Sequence, residues 1–238
     1  ELGLILMKLR YQDLIDASYE DLYIVKSIVT SELSEQLADV LNVKVYNVLT
    51  GFKYISEILN DKSHSKEKLL LAFEESNGYM AKPFVRDKDA IQIVPLIIKY
   101  KNLLYANNIT LKDTLDDIYR TIGHYHSINL SPVFEGAEGQ HKIEEIINSF
   151  RNKTIHQVCG LDVKAIEDYQ LGTIENIESG EKDATYLPNT NLIRLIFDEG
   201  FIAIRPSGTE PKIKIYFSLN VNNIENLINE FKETYIEY

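Results

Sequence analysis

The sequence predicts two successive domains: an α/β layered domain with βαβ units and a mixed sheet, then a small α+β domain with an antiparallel sheet and flanking helices. Three observations carry this expectation. Between Tyr23 and Leu49 a β-branched run, a segment of helical period and a second β-branched run follow one another, which is the spacing of a βαβ unit. Near the carboxyl terminus two apolar runs are separated only by Asp198-Glu199-Gly200, a hairpin signal. The length of 238 residues suits two ordinary domains. The boundary is expected at residue 122, giving domains 1–122 and 123–238.

In the first domain, Glu1–Leu9 reads as the end of a helix with no N-cap before it, which suggests a fragment of a longer chain. Tyr23–Val29 is the first strand. Ser31 is placed to cap a helix whose Leu33, Leu37, Val40 and Leu41 share a face, and Val43–Leu49 is the second strand. Thr50-Gly51-Phe52-Lys53 leads into a short helix near Tyr54–Leu59. Asp61–Lys68 reads as polar loop, and Leu69–Phe73 as an apolar strand ending at Glu74-Glu75-Ser76-Asn77-Gly78. Ala90–Tyr105 has helical character with Asp89 as its cap, and Pro95 is expected to kink it by removing an interior hydrogen bond. Thr110 and Asp113 form a capping-box start to a helix carrying Leu111, Leu115, Ile118 and Ile122.

In the second domain, His126–Val133 reads as a strand, Gly136–Gln140 as a loop, and Lys142–Arg151 as a helix with Ile143, Ile146, Ile147 and Phe150 on one face. Gln157–Ile166 is expected to be extended and Gly172–Asn191 to be a long polar loop. Leu192–Phe197, Phe201–Arg205 and Lys212–Leu219 are strands, and Ile224, Leu227, Ile228, Phe231 and Tyr235 mark a C-terminal helix.

Composition narrows the function. With 45% apolar and 26% charged residues, the chain can bury real cores, which excludes disordered and fibrous classes. The apolar runs Leu2–Met7 and Leu69–Phe73 are far short of the roughly 20 residues that span a bilayer, so no membrane partner is expected. The formal charge is −11, against the positive field that nucleic acids and anionic membranes require. Residues 1–120 hold 15 Lys+Arg against 18 Asp+Glu, and residues 121–238 hold 10 against 18, so a cluster of cations in the second half stands out. The single cysteine, Cys159, cannot form an internal disulfide, and no basic segment precedes an apolar stretch; a cytoplasmic location is expected.

That cluster is Arg205-Pro206-Ser207-Gly208-Thr209-Glu210-Pro211, followed by Lys212 and Lys214. Two hydroxyls, free backbone N–H groups and a glycine able to adopt positive φ can form a concave nest for an anion, with Arg205 offering a bidentate fork to phosphate. An ordinary strand connection is the alternative. Glu74-Glu75-Ser76-Asn77-Gly78 closes an apolar strand, where ligands of open α/β sheets sit, and its carboxylates suit the hydroxyls of a sugar or other polyol; a solvated loop or helix cap is the alternative. Thr50-Gly51-Phe52-Lys53 follows a strand in the same way, as a binding loop or a plain turn. Arg86-Asp87-Lys88-Asp89 precedes a helix; capping and local pairing account for its acids, while Lys88 could reach a phosphate or sugar oxygen. The five histidines lack metal-site spacing on one helix, and no Walker loop or Gly-x-Ser-x-Gly elbow is present.

Together these segments resemble the α-D-phosphohexomutase superfamily, the phosphoglucomutases and phosphomannomutases. Arg205-Pro206-Ser207-Gly208-Thr209-Glu210-Pro211 is similar to the phosphate-binding loop of that family's fourth domain. Phe73-Glu74-Glu75-Ser76 is similar to the sugar-binding loop of its third, usually Gly-Glu-x-Ser. Thr50-Gly51-Phe52-Lys53 and Arg86-Asp87-Lys88-Asp89 match further motifs in the same order, so the resemblance covers nearly the whole chain. Phe73 replaces the usual Gly, and Asn77-Gly78-Tyr79-Met80 resembles the longer phosphoglucomutase and phosphopentomutase branch. The family's phosphoserine loop, Thr-Ala-Ser-His-Asn-Pro, and metal loop, Asp-Gly-Asp-x-Asp-Arg, do not occur in this sequence, so the chain resembles domains three and four only.

The resemblance implies a C-terminal fragment of an enzyme that interconverts hexose 1-phosphate and hexose 6-phosphate through a phosphoserine and a bisphosphate intermediate. It implies that Thr50, Gly51, Glu74 and Ser76 bind the sugar, and that Arg205, Ser207, Gly208, Thr209 and Lys214 hold the phosphate that is not reacting. Lys88 is a candidate acid or base, or a phosphate contact. Mg2+ and a sugar bisphosphate activator are implied for the full-length enzyme, with no metal ligand in this chain, and the missing domains one and two are implied partners. A phosphopentomutase, a stand-alone phosphosugar-binding module and a ligand-free structural domain are the alternatives; the last requires an occluded Arg205 loop.

Overall fold

The β-branched and apolar residues that announce strands in the first half do form the buried layer of a mixed sheet. The computed structural model describes residues 1–152, 155–208 and 210–237, and these divide into two compact units, Glu1–His124 and Tyr125–Tyr238. In the first unit the order is α1 (Leu2–Asp16), β1 (Leu22–Ser27), α2 (Leu33–Val40), β2 (Lys44–Val48), α3 (Phe52–Asp61), β3 (Lys68–Phe73), β4 (Tyr79–Met80), α4 (Ile93–Ala106) and α5 (Leu111–Ile122). The sheet runs β2-β1-β3-β4. β1 pairs in parallel with β2 and β3, and β4 is antiparallel to β3. Every residue of β1 is buried, as expected of a central parallel strand covered on both faces. Arg10 of α1 is buried among these elements; its guanidinium donates to the carbonyls of Leu70 and Ala81 at 2.6 and 2.9 Å, tying the helix to the sheet.

Three expectations for this unit change. The first helix extends to Asp16, well past Leu9. Ser31 does not cap α2: Glu32 is the residue before the helix, and Ser31 Oγ accepts the Leu33 N–H at a long 3.4 Å. Pro95 does not break a helix interior. Ala90–Gln92 is a 3-10 turn capped by Asp89, and α4 starts at Ile93, which puts Pro95 in the first turn, where N–H groups have no intrahelical acceptor. The capping box at the start of α5 is present, with Thr110 Oγ1 accepting the Asp113 N–H and the Asp113 carboxylate accepting the Thr110 N–H.

The second unit consists of β5 (His126–Leu130), α6 (Gly136–Arg151), β6 (Gln157–Val158), β7 (Leu161–Asp162), β8 (Ala165–Asp168), β9 (Thr173–Asn176), β10 (Lys182–Ala184), β11 (Ile193–Phe197), β12 (Gly200–Pro206), β13 (Ile213–Leu219) and α7 (Ile224–Tyr235). Seven strands form one antiparallel sheet in the order β10-β9-β8-β11-β12-β13-β5. Ile143, Ile147 and Phe150 of α6 and Leu227 and Phe231 of α7 pack with Leu195, Ile204, Ile215 and Phe217 of the sheet in one core.

Here the glycines and polar residues mislead. Gly136–Gln140 belongs to α6; Gly139 is a close-approach residue, since a Cβ there would lie 2.2 Å from the Phe134 carbonyl oxygen. Gly172–Asn191 holds the edge hairpin β9–β10, whose outer strand is fully exposed and so lacks the apolar alternation that marks a strand. Asn176 Oδ1 organises its turn by accepting the N–H groups of Glu178 and Ser179 at 3.0 and 2.9 Å. Gln157–Ile166 is not one extended run: Cys159 and Gly160, both at positive φ (48° and 77°), turn β6 back onto β7, and β8 follows. The strand expected to reach Val133 stops at Leu130.

Candidate functional site

The three parallel strands deliver their following loops to one edge of the sheet. β1 leads into Ser27–Thr30, β2 into Thr50 and Gly51, and β3 into Glu74–Gly78, all at carboxyl ends, where open α/β sheets bind ligands. Glu74 is not exposed as a solvated loop would have it. It is buried, at 5% exposure, and its Oε1 accepts the Gly51 N–H at 2.8 Å. Two motifs separated by 23 residues are thereby joined. Gly51 takes φ +123° as the residue before α3, a conformation that favours glycine. Gly78 is needed for space: a Cβ would sit 3.2 Å from Glu74 Oε2 and 3.3 Å from the Phe52 ring.

Glu75 faces the other way and clamps the loop to β1. Its Oε2 accepts from Ser27 Oγ at 2.9 Å and Thr30 Oγ1 at 3.3 Å, and the two hydroxyls lie 3.0 Å apart. Beneath them Lys26, fully buried, pairs with Glu35 at 2.7 Å and donates to the Thr30 carbonyl at 3.2 Å. Sequence reasoning missed Lys26, Ser27 and Thr30. The available signal was a lysine inside the otherwise apolar β1 run, since a lysine is almost never fully buried unless paired. Ser76 is exposed at the loop tip, beside Asn77 at φ +63°, and the loop closes with the Glu74 N–H on the Gly78 carbonyl at 2.9 Å. Thr50 Oγ1 is buried with no hydrogen-bond partner among the described residues.

Lys88 lies in the exposed stretch between β4 and α4. The Asp89 N–H donates to the Tyr79 carbonyl at 3.0 Å, and Tyr79 pairs with Phe73, the residue before Glu74. Its backbone is thus held at the same end of the sheet as the Glu74 loop. Asp87 and Asp89 act locally, accepting the N–H groups of Lys88 at 2.7 Å and Ile91 at 2.9 Å.

In the second unit Arg205 is the penultimate residue of β12 and pairs in register with Lys214 of β13. Like charges placed directly opposite on neighbouring strands destabilise a sheet, so this pair gains from an anion beside it. Both residues are half-exposed and Gly208 is exposed, so the loop is not occluded. Two features of the expected nest differ. The Ser207 N–H is spent on the Lys212 carbonyl at 2.8 Å. Gly208 does not use positive φ, and a Cβ there would meet open space. Lys212 is paired with Glu210 at 2.6 Å, and its hydrogen bond, with the nearby charge of Lys214, pulls the Glu210 carboxyl below its ordinary pKa. Thr209 lies outside the described residues. Burial raises the pKa of the Cys159 thiol to about 11, which disfavours the thiolate form. Among the described residues, no three or more His, Cys, Asp or Glu side chains are placed to hold a metal ion, and no helix is long and apolar enough to cross a membrane.

The first unit is thus a parallel three-strand core with polar loops at its carboxyl edge, and the second an antiparallel sheet carrying Arg205 opposite Lys214 on adjacent strands. Residues 3–122 match the family described as phosphoglucomutase/phosphomannomutase, alpha/beta/alpha domain III. The chain belongs to the phosphoglucomutase/phosphomannomutase family. It is 56% identical over 237 residues to a phosphoglucomutase of Staphylococcus saprophyticus, covering 99% of this chain and 43% of that protein. It is 43% identical over 227 residues to a phosphoglucomutase of Staphylococcus aureus, covering 95% and 41%. The chain therefore spans about two-fifths of the length of these relatives. Its fold is shared with the phosphoglucomutase pp63/parafusin of Paramecium in its open form (TM-score 0.59, 21% identity, 88% of this chain and 37% of that one). A phosphoglucomutase/phosphomannomutase family protein from Burkholderia thailandensis shares it too (TM-score 0.58, 13% identity, 97% and 40%).

Proposed function

We propose that this chain is the carboxyl-terminal, substrate-gripping part of a cytoplasmic phosphoglucomutase or phosphomannomutase that interconverts hexose 1-phosphate and hexose 6-phosphate. The single observation that carries this reading is the Gly51 N–H to Glu74 bond at 2.8 Å, which builds one polar edge from two separate motifs at the carboxyl ends of parallel strands. The extended identity to two phosphoglucomutases supports it. In the proposed reaction a phosphoserine in the preceding part of the longer protein donates its phosphoryl group to a free hydroxyl of the hexose monophosphate. The bisphosphate then reorients, and its other phosphate returns to the serine.

The residues of this chain hold the substrate while that happens. Ser76 and Glu74 hydrogen-bond the sugar hydroxyls, with Thr50 and Gly51 lining the same edge. Arg205 and Lys214 neutralise the phosphate that stays put, aided by Ser207, Gly208 and Thr209. Lys88 serves as an acid or base, or as a second phosphate contact. Mg2+ and a sugar bisphosphate activator belong to the rest of the longer protein.

Kinetics of the full-length protein with glucose 1-phosphate and mannose 1-phosphate test the reading. Ser76 is exposed, so Ser76→Ala should lower kcat/KM by the worth of a lost hydrogen bond, about 1–3 kcal/mol, with an unchanged melting temperature. Unaltered kinetics with both sugars would remove Ser76 from the site.

A further inference from the structure

Elsewhere on the first unit, at the amino-terminal end of β3, a cavity of about 810 Å3 opens. Its lining comes from the start of β3, from the segment after β4 and from α1 and α3, and includes no residue of the Glu74–Gly78 loop. Five cations line it, Arg10, Lys62, Lys66, Lys68 and Lys82, against the single carboxylate of Glu67, in a chain where acids outnumber bases 36 to 25. Glu67 is already engaged, by Lys62 and by Lys44 at 2.6 Å. Lys66 and Lys82 are exposed, and among the described residues neither makes an ion pair.

Aromatic rings alternate with these charges. Lys68 Nζ stands 4.8 Å from the centre of the Tyr19 ring, Tyr23 forms part of the wall, and Phe84 stands 69% exposed on the rim. Phe84 thus offers a ring face, and Lys66 and Lys82 offer positive charge, around the same opening. A ligand with a planar body and an anionic group satisfies both, by stacking and by charge-assisted hydrogen bonds, and the volume lies within the range of small-molecule sites, about 300–1,000 Å3.

We propose that this cavity is a binding site for a planar-bodied phosphate of the nucleoside monophosphate class, distinct from the sugar-phosphate edge, with Lys66 and Lys82 on the phosphate and Phe84 on the ring. Calorimetric titration of the full-length protein with AMP, adenosine and inorganic phosphate tests it. AMP should bind at least about tenfold more tightly than adenosine or phosphate alone, and more weakly as salt rises. The double variant Lys66→Glu/Lys82→Glu should lose at least about tenfold in AMP affinity, and Phe84→Ala several-fold, all with unchanged melting temperatures because the three side chains are exposed. Arg205→Ala and added glucose 6-phosphate should leave AMP binding as it is. No binding at millimolar AMP, or full affinity in the double variant, would overturn the site. Loss of AMP binding in Arg205→Ala would overturn it as well, by moving the nucleotide to the phosphate loop.

Discussion

Glu74 is buried although its loop is polar, because its carboxylate answers the N–H of a glycine 23 residues earlier. No local pattern announces that, since the contact exists only once β2 and β3 have taken their places on either side of β1. Glu74→Ala strands the Gly51 N–H and should cost about 1–3 kcal/mol of stability, seen as a lower melting temperature alongside reduced turnover. Glu74→Gln keeps an acceptor for Gly51 and should restore most of the melting temperature but not the kinetics; equal melting temperatures for wild type and Glu74→Ala would show that the bond is idle. Glu67 gives a second test at this scale. Hydrogen bonds from Lys44 and Lys62 hold its carboxyl at a pKa of about 2 instead of 4.5. A depressed carboxylate contributes stability above its unfolded value and loses it as pH falls through the folded one. Stability should therefore decline between about pH 4.5 and 2, and Glu67→Gln should flatten that part of a pH series of melting curves.

Elements whose signal is local were legible: the capping box of Thr110 and Asp113, the hairpin of β11 and β12, and the apolar face of α6 from Ile143 to Phe150 all form as their residues predict. Elements whose reason lies elsewhere were not. The β9–β10 hairpin is polar because its outer strand faces solvent, and Gly139 is a glycine only because the Phe134 carbonyl crowds it. Of the site, the loops carrying Thr50, Glu74, Lys88 and Arg205 could be picked out by residue type, whereas the Glu75 clamp on Ser27 and Thr30 needed three dimensions. The Arg205–Lys214 pairing makes a prediction that separates binding from folding. Lys214→Gln relieves a like-charge pair, so stability without ligand should hold or rise by about 0.2–1 kcal/mol, while the stabilisation gained on adding phosphate should shrink. Melting curves with and without phosphate read both; a fall in stability without ligand would mean that Lys214 is structural. Asp168 serves as a contrast. Its carboxylate is buried, pairs with Arg151 at 2.7 Å and accepts the N–H groups of Gln170 and Leu171, so Asp168→Ala should cost about 3–5 kcal/mol and leave any ligand preference intact in the protein that still folds.

At the scale of the whole molecule, this chain carries the loops proposed to grip a sugar phosphate and none of the phosphoserine or metal loops that the family resemblance calls for. The relatives it matches are more than twice its length. The proposed function therefore divides the labour, with substrate gripping assigned to this chain and phosphoryl donation to the rest of the longer protein. A coupled assay of glucose 1-phosphate conversion puts that division to the most direct test. The full-length protein should turn over, its Arg205→Ala and Glu74→Gln variants should lose roughly a hundredfold in kcat/KM, as expected for charged or doubly bonded contacts worth about 2–3 kcal/mol, and the 238-residue chain alone should be inactive. Turnover by the isolated chain at the full-length rate, or full-length variants as fast as wild type, would contradict it.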